Sequence, residues 1–292
     1  MSCHWTTHYV PLIPHALVFD DELSDLKTMA GINTAVIAVG TAAGIGATVT
    51  GFVKADKDKQ IEVKLEKLRE IEQKNPDIQS TDAEWDNFES GLTTELANAK
   101  IEVEKYQADI EKLNKQSKKL GNWRTGLMAG STATNVAGAI IAGTNKVDND
   151  LQTQINDCIS SVKTLQNSIM QARINGEDVS EAQSIATACG EYEYVDVSKI
   201  NNRAKGAMIS STVGAATGLA GTVASAMANT DKTRNDNTEA GKQKEKSLNT
   251  AANVLAIGTT AASATATVFN ATQISAIKKV AAVAEKCTGV LK

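Results

Sequence analysis

The residues of this chain that could do acid–base, nucleophilic or metal chemistry are few and poorly placed for it. All three histidines, His4, His8 and His15, lie at the N-terminus beside Cys3, with no Asp or Glu before Asp20. Their spacing matches no zinc motif. No histidine follows residue 15, so a Ser or Cys in the body of the chain has no imidazole base. Gly44-Ile45-Gly46 with Gly51 imitates a dinucleotide loop but fails the spacing, and no strand leads into it. Gly241-Lys242 lacks the upstream glycine of a phosphate loop. Of the four cysteines, Cys158 sits on a helix seam and Cys189 ends a helix returning after Asn175-Gly176, which makes them the candidate disulfide pair of an exported protein. The alternative is that Cys158 is a small buried thiol. These residues argue for a chain with no catalytic site, no metal, no cofactor and no evident small-molecule substrate.

What the sequence does carry is assembly chemistry. Four stretches, 28–53, 125–145, 206–230 and 247–277, hold no charged residue and are built mainly from Ala, Gly, Thr and Ser. Helices made this way have little side-chain bulk, so backbones can approach closely. Three spaced glycine pairs, Gly40 with Gly44, Gly126 with Gly130, and Gly214 with Gly218, are the candidate packing contacts. The stretches also resemble one another in two pairs. Val36–Thr41 reappears as Val254–Thr259, while Gly126, Met128, Ser131, Thr132 and Gly138 match Gly206, Met208, Ser211, Thr212 and Gly218, giving an order A, B, B, A. Composition alone would produce part of that likeness.

The charged segments between them show apolar heptads. Leu92, Leu96, Ala99, Val103, Tyr106, Ile110, Leu113 and Leu120 form one seam, and Leu151, Ile155, Cys158, Val162, Leu165, Ile169 and Ala172 a second. Ile61, Leu65 and Leu68 precede Asn75-Pro76, and Thr81-Asp82-Ala83-Glu84 reads as a capping box that restarts the chain. A helical hairpin follows from that. Expected divisions are a poorly structured tail over 1–27, helix A over 28–53, a charged coiled-coil hairpin over 54–124 and helix B over 125–145. After these come a coiled-coil helix with a short returning helix over 146–205, the B repeat over 206–230, a polar connection over 231–246, and the A repeat with a C-terminal helix over 247–292. The Tyr192–Val197 piece alternates in the manner of a short extended segment.

The expected fold class is all-α: an elongated helical bundle with a long antiparallel coiled-coil hairpin and four small-residue helices packed closely. All three prolines lie at or before position 76 and aromatics make up only 4% of the chain, which disfavours sandwiches and barrels. A net charge of −4 with interleaved signs excludes the basic footprint of a nucleic-acid binder. Residues 1–20 lack the positive start of a secretory signal. Each charge-free stretch is long enough to cross a hydrocarbon core of about 30 Å. The first and last are the stronger spans, and the middle two need helix partners for their Thr, Ser and Asn. The layout is similar to that of secreted translocators and helical pore-formers, which join coiled coils to Ala/Gly-rich hydrophobic hairpins; the likeness is one of layout, and no motif specific to those families is present. The sequence therefore points to a membrane or secreted assembly protein, self-associating or meeting a protein partner through its coiled coils. The alternative is a soluble or surface-exposed coiled-coil protein without membrane insertion.

Overall fold

The computed structural model describes residues 12–74, 94–176, 179, 197–236 and 238–290. Among them the chain is all-α, with six helices and no strand. They are α1 (Leu12–Lys74), α2 (Thr94–Thr144), α3 (Asn149–Ile174), α4 (Ser198–Ala228), α5 (Asp231–Arg234) and α6 (Glu239–Val290). Ala, Lys, Glu and Gln all favour helix, so nothing stops the backbone where the composition changes from charged to small. The expected boundaries at 53/54 and 124/125 are accordingly changes of surface inside continuous helices. Helix also replaces most of the expected tail, because α1 begins at Leu12, with Pro14 in the first turn where an N–H would be unpaired anyway. Likewise α6 begins at Glu239, inside the expected polar connection. Gly176, at φ +80°, closes the turn after α3, a conformation that glycine adopts without strain.

The chain divides into two compact units. Unit 1 holds residues 1–41, 133–215 and 261–292, and unit 2 holds residues 42–132 and 216–260. Unit 1 has the larger apolar cluster, formed by Leu23, Leu26, Ala30, Val147, Leu151, Val197, Ile200, Ile277 and Val280. Burying each Leu, Ile or Val there contributes about 1.5–3 kcal/mol. Leu23 and Leu26 explain why the expected tail is ordered as helix. In unit 2 the apolar cluster is small, Ala47, Met128 and Ala256 flanked by Leu127 and Leu255.

Buried positions recur with one rhythm. On α1 they are Leu23, Leu26, Ala30, Asn33, Ile37, Gly40, Gly44, Ala47, Gly51 and Lys54, in steps that alternate three and four. On α2 the run Ser117, Gly121, Arg124, Met128, Ser131, Asn135, Gly138, Ala142 and Asn145 does the same. So do α4 from Ile200 to Ala228 and α6 from Ala252 to Val280. Small side chains and amides thus occupy the inward stripe of every long helix that carries a charge-free stretch.

Candidate functional site

The inward stripe is built from backbone proximity. A Cβ placed on Gly44 would stand 2.6 Å from Thr260 Oγ1 and 3.3 Å from Thr260 Cα, so α1 and α6 meet there only because the residue is glycine. Gly138 presents its Cα to Ile37, where an added Cβ would lie 2.5 Å from Cγ1. Gly214 faces Asn135 in unit 1, and Gly218 packs against Thr132 and Thr259 in unit 2. Gly40 is buried on the same α1 stripe. Gly126 and Gly130 differ from the expectation: both are exposed, and a Cβ on either would meet nothing within 4 Å. The reason is phase, since the inward residues of α2 in that region are Arg124, Met128 and Ser131.

Polar side chains cross-link the stripes within each unit. In unit 1, Asn33 Nδ2 donates to Asn270 Oδ1 at 3.0 Å and Asn135 Nδ2 donates to Ser263 Oγ at 2.8 Å. Asn145 Nδ2 reaches Leu26 O at 3.2 Å, and Gln273 Nε2 reaches Asn145 O at 3.0 Å. In unit 2, the fully buried Arg124 guanidinium joins three helices, donating from Nε to Ser225 Oγ (2.8 Å), from Nη1 to Asn253 Oδ1 (3.0 Å) and from Nη2 to Asn249 Oδ1 (2.8 Å). Lys54, also buried, pairs with Asp58 at 2.5 Å and with Glu245 at 3.7 Å. Asp58 in turn accepts from Ser117 Oγ. Sequence reasoning missed these amides and Arg124. The signal was present: Arg124, Ser131, Gly138 and Asn145 recur every seven residues, as do Asn33, Gly40, Ala47 and Lys54.

The outward faces have the opposite composition. Every exposed residue of α1 between Met29 and Val53 is Ala, Val, Ile, Met or Phe. On α2 from 126 to 140 they are Gly, Ala, Val and Ile. On α4 over 206–228 and α6 over 251–274 the only polar members are Thr212 and Thr265. Both return their hydroxyls to their own helix, to Met208 O at 2.8 Å and Ala261 O at 2.9 Å. Val39, Ile140, Leu219, Val254 and Val268 are each 61–63% exposed, whereas Asn33, Asn135 and Asn270 are fully buried. Three helices are long and apolar enough to cross a membrane, within Glu22–Lys74, Ser198–Ala228 and Glu239–Ala282. Ser198–Ala228 is thus a stronger span than its sequence suggested, and the α2 stretch is the one that falls short.

The charged arm lies in unit 2. Ala99, Val103 and Leu113 are buried, Tyr106 and Ile110 half-buried, and Leu68 of α1 is buried as well. Lys64 Nζ donates to Asp109 at 2.6 Å and stands 5.2 Å from the Tyr106 ring centroid, with Lys67 at 5.9 Å. Of the second seam, in unit 1, Leu151 and Ile169 are buried. Ile155, Cys158, Val162 and Leu165 lie on α3, but their side chains fall outside the described residues, as does that of Leu96 on α2. Leu92 and Cys189, and with Cys189 the candidate disulfide, also fall outside them. The internal likenesses fare differently in three dimensions. Ser131 with Ser211 and Gly138 with Gly218 are buried in both copies, but Ala38 is exposed where its counterpart Ala256 is buried.

Compared with protein-family models, curated proteins and solved structures, the chain matches none.

Proposed function

We propose that this chain is a non-enzymatic membrane assembly protein. Its charge-free helices lie in the hydrocarbon, and its charged arm, a coiled-coil hairpin, serves self-association or docking of a protein partner in the adjoining water. One observation carries the reading: along these helices the buried stripe is mainly Asn, Ser, Gly and Ala with Arg124, while most Val, Ile, Leu, Met and Phe face outward, Ile37, Met128 and Ile277 being the buried exceptions. A water-soluble protein has the reverse reason to fold, because large apolar side chains must leave solvent to drive it. Contiguous apolar surface beyond a few hundred Å² marks a partner or a membrane. In lipid, helix association rests instead on close packing of small residues and on interhelical hydrogen bonds, which the glycine contacts and amide cross-links supply. The threonine hydroxyls bonded to carbonyls four residues back, as at Thr41, Thr48, Thr222 and Thr267, satisfy themselves without water.

Magnitudes are consistent with this. Eight Leu, Ile, Val and Phe residues in 28–53 contribute about −2 to −5 kcal/mol to insertion. The middle stretches have half as many, so they depend on their neighbours for insertion. The interior is filled where Gly44, Gly138 and Gly214 admit no Cβ, so a conducting path through a single copy is not part of the reading.

Carbonate extraction of native membranes followed by detergent solubilisation tests the proposal. Protein retained in the carbonate pellet and released by detergent is the expected result; protein in the carbonate supernatant removes the integral reading. A second reading has one observation in its favour, the shortfall of the α2 stretch as a span. There the protein is a soluble coiled-coil interaction protein, and a second copy covers the same outward faces in water. Complete carbonate release together with a stable oligomer would select it.

A further inference from the structure

We infer that the unit 1 boundary of the apolar helices is an anionic-lipid contact, built from Lys27, Lys146, Lys205, Lys278 and Lys279. Each charge-free stretch has one boundary in unit 1 and one in unit 2. At the unit 1 boundary the first charged residue met on leaving every stretch is a lysine, on α1, after α2, on α4 and on α6 in turn. All five lysines are exposed, and none forms an ion pair among the described residues.

Interhelical bonds bring these boundaries together. Leu26 O accepts from Asn145, Asn145 O accepts from Gln273, and Leu26, Val147 and Ile277 share one buried cluster. Their sequence neighbours Lys27, Lys146 and Lys278 therefore emerge around one rim. Lys205 follows the buried Ala204, while Arg203 holds Thr272 O on α6. Acids occur only farther from the stretches, with Asp25 and Asp148 each two residues beyond the nearest lysine.

The unit 2 boundary is built differently. There the first charged residues Lys54 and Arg124 turn inward and are fully buried, α4 is followed by the exposed Asp231 and then Lys232, and Lys246 is the one stretch-flanking residue that is an exposed cation. Lysines leaving an apolar surface extend their stems along it and place the ammonium among headgroups. Five exposed lysines with no ion pair among the described residues match the phosphates of an anionic leaflet. This assignment rests on the membrane reading and names the lipid that the rim selects.

Flotation of the full chain with vesicles of phosphatidylcholine alone, or of phosphatidylcholine with phosphatidylglycerol, tests it. Wild type is expected to bind the anionic vesicles more tightly, and each Lys→Gln change to weaken that binding about five-fold. Preference is expected to vanish in K27Q/K146Q/K205Q/K278Q/K279Q and to survive when the same positions carry Arg. Lys115→Gln, on the arm and paired with Glu111, is expected to change nothing. Insertion into both compositions with equal affinity would overturn the lysine inference and leave the membrane reading standing. Absence of flotation with either would overturn both. Loss of the preference in inorganic phosphate at matched ionic strength would assign the rim to a free anion and overturn the lipid contact.

Discussion

Glycine at position 44 is defined by what stands against it. Thr260 is so close that any side chain must displace backbone as well as a hydroxyl, so Gly44→Leu is expected to destabilise the helix pairing by about 1–3 kcal/mol. Gly126→Leu, on an open outward position, is expected to be tolerated. Thermal unfolding in mild detergent, compared between the two, checks this; equal melting temperatures would show that the α1–α6 approach is not a stability determinant. Arg124 is the second residue-scale determinant. Arg124→Leu leaves the Ser225, Asn249 and Asn253 oxygens without their donor and is expected to cost on the order of 3 kcal/mol, read by the same unfolding assay. Both effects explain how far single residues could be read from sequence. Glycine spacing identifies close approach at Gly44 and Gly214 but cannot tell inward from outward without helix phase. Gly126 and Gly130 share the spacing and lie on the wrong side. The phase was recoverable from the seven-residue recurrence of Arg124, Ser131, Gly138 and Asn145, obscured because none of these is a conventional seam residue.

Along the elements, α1 and α2 each change surface without changing conformation. The arm of unit 2 is charged outside and apolar along Ala99, Val103 and Leu113, so Val103→Asp places an unpaired charge at a buried position. A loss of a few kcal/mol is expected, seen as accelerated amide exchange over 94–120; unchanged exchange would refute the seam. The arm also has a pH signature. The Lys64 hydrogen bond, and then its charge, hold the Asp109 carboxyl below its ordinary value. Its stabilising contribution is therefore present above about pH 4 and is lost as pH falls through the lowered value. Asp109→Asn is expected to flatten the acid dependence of exchange in the arm, and a mutant profile identical to wild type would contradict that assignment. The apolar heptads made this arm legible as helix. What they could not show is that α1 runs unbroken from Leu12 to Lys74, because continuity depends on the shared helix propensity of Ala, Thr-poor charged runs and buried Leu23 and Leu26, features that composition-based boundaries cut across.

For the chain as a whole, the question is which solvent surrounds the helices. Large apolar residues face out over four helices while amides and a guanidinium face in, and the proposal that hydrocarbon surrounds them rests on that arrangement. Substituting Val39→Arg on an outward face, near the middle of the α1 stretch, is expected to cost about 2.5–3.5 kcal/mol of insertion, measured by carbonate retention; a fully retained variant would count against lipid exposure at that face. Length, charge and the four stretches made the all-α class and the membrane question legible, whereas the inward and outward faces that the proposal uses required burial, which only three-dimensional packing supplies. The most direct test is the solvent accessibility of spin labels placed singly at Val39, Ile140, Leu219 and Val268 in bilayer-reconstituted protein, in a cysteine-free background. High collision with oxygen and low collision with a water-soluble nickel complex at all four sites is the result expected of faces in hydrocarbon. Strong nickel collision at these positions would contradict it.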